Sequence, residues 1–143
     1  MTTLFRFFML LFVTSFTCST FAQNNANVSY DGRKLIGKKW HYSDTVNGIK
    51  ETRTMVFDKD SVKEIIVRGD KTKIHRHAYY LDDYLSIDFY PEKIGYSTRG
   101  KYLYRGAGDM SFRVIIHKLT DDEFIYSFYK NSPLIKFTAI KEK

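Results

Sequence analysis

His75 and His77 are the first residues in this chain whose type and spacing could do chemistry. Two apart on an extended strand, both imidazoles project from one face. Such a pair can hold zinc if a neighbouring strand adds a third ligand, and His117 or, less well placed, His41 would supply it. Lys71 and Lys73 share that face, and ammonium groups beside a cation site oppose metal binding. A solvated basic stripe is the simpler reading, and no metal site is expected. Nucleophilic chemistry has less support still. There is no Gly-x-Ser-x-Gly elbow, and the one cysteine, Cys18, lies near the start. Asp82-Asp83 and Asp121-Asp122 fall at turns, where aspartate is favoured for turn hydrogen bonds alone. No calcium loop is present in its spaced form. The chain is therefore read as a non-enzyme with no cofactor.

The aromatic residues offer a different chemistry. There are 11 tyrosines, 12 phenylalanines and one tryptophan. Tyr79, Tyr80, Tyr84, Tyr90, Tyr96, Tyr102 and Tyr104 cluster around the middle of the chain. Tyrosine supplies contact area together with a hydroxyl, which suits an aromatic-lined pocket or an interaction surface. The alternative is ordinary strand composition, since aromatics favour sheets. The candidate ligand-binding residues are Trp40, Tyr79, Tyr102, Tyr104, Phe112 and Tyr126.

Short strands separated by turn residues must position these side chains, a pattern that suits an all-β barrel or sandwich. The expected strands are 39–43, 50–57, 62–68, 71–81, 84–90, 101–104, 110–119, 123–130 and 134–141. Asn47-Gly48 is the strongest hairpin signal, because both residues tolerate positive φ. Gly69-Asp70 is a second. In 84–90, Leu85, Ile87 and Phe89 alternate with Tyr84, Ser86 and Asp88, which implies one buried and one wetter face. Gly106 to Asp109 reads as a turn, and Asp31 to Ile36 as one helical turn before Gly37. About nine strands joined by hairpins form an antiparallel meander, and closure into a barrel removes its exposed edges.

The chain has 143 residues, one domain by length. Its first 22 residues have the form of a cleaved secretory signal: Arg6, an apolar run from Phe7 to Val13, then Thr20-Phe21-Ala22. The apolar run falls short of the roughly 20 residues a membrane-spanning helix needs. Residues 23–34 are expected to be a flexible segment and 35–143 the barrel domain. Cleavage would remove Arg6 from the 23 basic residues and none of the 16 acidic ones, taking the net charge from +7 to +6. The basic residues are spread along the chain, which suits a soluble basic surface better than a nucleic-acid patch. The expected location is periplasmic or secreted, with no nucleic-acid partner. Membrane association is expected only if Cys18 carries a lipid.

Gly37 and Trp40, the Met55-to-Ser61 stretch that ends a strand in Phe57 before an acidic turn, and Leu119-to-Phe124 followed by Phe137-Thr138-Ala139-Ile140 together resemble the lipocalin-like (calycin) family of small exported β-barrels. Two residues, Lys38 and Lys39, separate Gly37 from Trp40, where the family has one. The resemblance implies a single up-and-down barrel of about eight to nine strands whose cup holds a small apolar molecule. It transfers no ligand-binding residues. Met55, Phe57, Leu85, Ile87, Phe89, Phe112, Val114 and the Phe124–Tyr126–Phe128 set would form the core and lower cup, with tyrosines nearer the mouth. The alternative is an envelope or secreted interaction module, such as an inhibitor or accessory subunit. It would have a solid barrel and working loops at 91–100 and 105–109.

Overall fold

The computed structural model describes residues 28–107 and 109–140. The expected signal peptide and Cys18 lie outside the described residues. Among the described residues ten strands form: β1 (Tyr30–Asp31), β2 (Lys39–Val46), β3 (Ile49–Phe57), β4 (Ser61–Arg68), β5 (Lys71–Asp82), β6 (Arg99–Gly100), β7 (Tyr102–Ala107), β8 (Met110–Leu119), β9 (Glu123–Ser127) and β10 (Ile135–Ile140). Eight close into an all-antiparallel barrel in the order β10-β2-β3-β4-β5-β7-β8-β9. β1 and β6 form a separate two-stranded pair. The chain is all-β, as its turn spacing predicts.

Hairpin chemistry sets the register. Asn47 and Gly48 both take positive φ, 52° and 76°, so β2 and β3 meet over a tight turn and pair through eight residues each. Gly69, at φ 60°, does the same between β4 and β5. The meander closes when β10 pairs with β2, through Thr138–His41, Ala139–Trp40 and Ile140–Lys39. A register shift in β8 leaves His117 as an extra residue between Ile116 and Lys118. The carbonyl of this bulge accepts a hydrogen bond from the Tyr30 hydroxyl at 2.5 Å, tying β1 to the barrel.

One end of the barrel is solid. Trp40, Met55, Phe57, Val62, Phe124 and Phe137 are fully buried there, and burial of each large side chain stabilises the fold by about 1.5–3 kcal/mol. Trp40 and Phe57 both meet Phe124 edge-on, at 5.9 and 6.2 Å between ring centres. The expected helical turn is a 3-10 turn over Gly32–Leu35. It covers this end, with Leu35 fully buried. The Trp40 indole N–H donates to the Leu35 carbonyl at 3.0 Å. Gly37, at φ 74°, turns the chain from that cap into β2. The extra residue before Trp40 is absorbed in this turn, and the indole still faces inward.

Two expectations are corrected. The strand expected at 84–90 is absent. Residues 83–98 form a loop across the outer face of β5 and β7, carrying a short 3-10 turn at Pro91–Lys93. Leu85 and Ile87 are exposed at 62% and 87%, so neither is core. Phe89 packs on Tyr80 at 5.2 Å and over Gly106, where a side chain would meet its ring. Of the three alternating apolar residues, only Phe89 anchors the loop to the outer face. The turn expected from Gly106 is likewise strand through Ala107, because both residues pair with β8.

Candidate functional site

The other end of the barrel is open. A cavity of about 600 Å³ lies inside the tips of β3, β4 and β5. Register explains who faces it. Side chains opposite one another in an antiparallel ladder share a face, and Glu64, which is buried, pairs with His75. His75, Lys73 and Lys71 therefore point inward with Glu64, Ile66 and Arg68. Ile49, Glu51 and Arg53 complete the wall from β3, and Gly69 and Asp70 form its lip. Arg53 donates through Nε to Glu51 at 2.8 Å. Arg68, Lys71 and Lys73 make no ion pair to another described residue.

A buried polar layer separates this cavity from the solid end. Arg105 is 2% exposed and donates to Glu64 at 2.9 Å, and the side chains of both are almost fully buried. The Arg105 guanidinium also lies over the Phe112 ring at 4.8 Å. Burial pushes the Tyr126 hydroxyl up to about 12, with Arg105, Glu64 and Arg53 near it. His77 stacks edge-on to Phe112 at 5.5 Å and lies 6.0 Å from His75. Burial, and then the Arg105 charge, lower its pKa. Among the described residues, Arg105 Nε and His77 Nδ1 are buried with no hydrogen-bond partner.

The six candidate ligand-binding residues fall in three places. Phe112 and Tyr126 belong to the polar layer below the cavity. Trp40 and Tyr79 belong to the solid end; Tyr79 packs on Phe57 at 5.2 Å and its hydroxyl donates to the Asp58 carbonyl at 2.7 Å. Tyr102 and Tyr104 lie on the outer face, with the sheet between them and the interior. Tyr104 stacks on Tyr80 at 4.9 Å, accepts from the Ser86 N–H at 2.8 Å and donates to the Tyr84 carbonyl at 2.8 Å. Much of the tyrosine cluster thus holds down the 83–98 loop. Sequence reasoning missed Arg53, Arg68 and Glu64, and placed Arg105 at the start of an exposed loop, 105–109, whereas it is a buried residue of β7; its reading of Lys71 and Lys73 as solvated agrees with their exposure at the open rim. The available signal was that these charges sit at inward positions of strands whose register the Asn47-Gly48 and Gly69-Asp70 turns set.

His75 and His77 gain no third ligand from His117 or His41. No group of three or more histidine, cysteine or acidic side chains among the described residues is placed to hold a metal ion. A second depression, at the outer rim of the solid end, has Lys38 and Asp121 in its wall. These are paired with each other at 3.0 Å, so its charges are matched internally. No family model matches the chain, and neither a curated protein nor a solved structure matches it. The arrangement is that of a β-barrel able to hold a ligand at one end.

Proposed function

We propose that this is an exported, lipocalin-like protein that holds a small, partly apolar ligand in the open end of its barrel and catalyses no reaction. The observation that carries the reading is the asymmetry of the interior. One end is filled by large aromatic side chains, whereas the other opens into a recess of about 600 Å³ lined by β3, β4 and β5, within the range of small-molecule sites. A barrel built only for stability would fill both ends, since empty interior space forfeits packing. Export rests on the N-terminal sequence, and lipocalin-like kinship on the residues around Trp40, Phe57 and Phe124 together with the closed barrel.

A second reading has its own observation. Tyr84, Leu85 and Ile87 are exposed at 80%, 62% and 87% on one short loop. That apolar tip favours an interaction module that grips a protein partner from the barrel's outside. Native mass spectrometry of the protein purified from its own host separates the two. A small-molecule adduct lost on denaturation, with saturable single-site binding of the neutral probe N-phenyl-1-naphthylamine, is expected for the cup. A clean unliganded mass and no saturable probe site would sink the cup reading and leave the loop.

A further inference from the structure

We propose that the molecule taken by this cup is an organic anion with an apolar part, its charge seated among Arg68, Lys71 and Lys73. The inference rests on the ligand-binding reading above and goes beyond it by fixing the sign of the ligand's charge.

The first observation is an inversion of polarity confined to the open ends of β4 and β5. Arg68, Lys71, Lys73 and His75 face the interior, whereas Ile65 and Ile74 pair with each other on the outer face. Ile74 is 60% exposed. A strand whose only task is to close a barrel places its apolar residues the other way. The inversion also works against stability. Arg68 and Lys71 stand directly opposite one another, and like charges so placed repel. The lining of the cavity carries four cations, Arg53, Arg68, Lys71 and Lys73, and two carboxylates, Glu51 and Asp70; Asp44, opposite Glu51, and Glu64, held by Arg105, share the inner face. Glu51 is engaged by Arg53. Charge of one sign in a walled recess concentrates the field and attracts counter-charge.

The second observation lies beneath. Arg105 is buried, yet its Nε has no partner, and neither has Nδ1 of His77. Buried polar atoms are ordinarily satisfied. Phe112 contacts both side chains and stands 6.5 Å from Phe128. The cationic wall lines the cavity, and the unpartnered polar atoms and the pair of aromatic rings lie in the layer beneath it. An amphiphilic anion matches all three, and a neutral lipid matches only the last.

Two probes that differ by one sulfonate test this: 1-anilinonaphthalene-8-sulfonate, the anion, and N-phenyl-1-naphthylamine, its neutral counterpart. Each is titrated into the purified full chain and followed by fluorescence. The anion is expected to bind one site about tenfold or more tightly than the neutral probe at low salt, with the gap narrowing in about 0.5 M sodium chloride. The double variant Lys71→Gln/Lys73→Gln should lose about tenfold for the anion and stay within about twofold for the neutral probe. Arg68→Gln provides the same readout should that variant misfold by circular dichroism. Decanoate or decyl phosphate should displace the anionic probe and decanol should not, and the better competitor assigns the head group as carboxylate or phosphate. Equal affinity for the two probes, displacement by decanol as effective as by the anions, or variants that bind the anion at full strength would overturn the inference while leaving the cup intact. No saturable site for either probe would remove the ligand-binding reading itself.

Discussion

Arg105 and Glu64 are charged side chains in a part of the molecule where water does not reach them, at 2% and 6% exposure. Removing two charges from water costs about as much as their mutual attraction returns, but stranding one of them is far worse. Arg105→Met alone, or Glu64→Leu alone, should therefore cost about 3–5 kcal/mol in urea unfolding, and the double variant should recover most of that loss. Single losses that simply add in the double variant would show that the pair does not act as a unit. This pair was not legible in the sequence. The rule that alternate residues face a core assumes apolar residues inside, and at Glu64, Arg105, Lys71 and Lys73 that assumption fails. Trp40 was legible because a lone indole before a run of strands has few places to go except the core, where the Leu35 carbonyl accepts its N–H.

Among the elements, the loop at 83–98 and the small β1–β6 pair depend on close passage of backbone against backbone. At Gly100, a Cβ would lie 2.3 Å from the Asp82 amide nitrogen and carbonyl carbon. No side-chain rotation relieves a clash with main chain, so Gly100→Ala should lower stability by about 1–3 kcal/mol or more. It should also loosen the Tyr30–Gly100 pairing. A thermal melt unchanged from the parent protein would contradict that close approach. The barrel strands were readable because Asn47-Gly48 and Gly69-Asp70 carry their own turn geometry and because the inward rows around Phe57, Val114 and Phe124 are apolar. The loop was misread as strand because the alternation of Leu85, Ile87 and Phe89 carries no information about whether a partner strand is free to pair. β5 and β7 already pair with each other through Ala78–Gly106 to Asp82–Tyr102, which leaves 84–90 no edge to join.

At the scale of the whole molecule, two histidines tie stability to pH. Burial lowers the pKa of His77, with Arg105 adding to the effect, and burial lowers that of His117, with Lys101 adding. Glu64, His75 and Phe112 also face His77. The unfolded chain takes up protons on these rings near about pH 6.5, before the folded protein does. Their contribution is thus fully present above that value and lost as the pH falls through it toward the lowered folded values. The melting temperature should drop by a few degrees between about pH 7.5 and pH 5.5, and His77→Gln should remove part of that slope. A flat profile would exclude it. The barrel's seam carries a further consequence. Among the described residues, β2 and β10 meet through three residue pairs, yet one is the first barrel strand in the chain and the other the last. Synthesis delivers β2 early and withholds its partner until residues 135–140 emerge. Until then the other barrel strands lack the partner that closes the ring, and two strand edges stay unpaired. The step at which it most needs shelter from its own copies therefore comes before folding finishes.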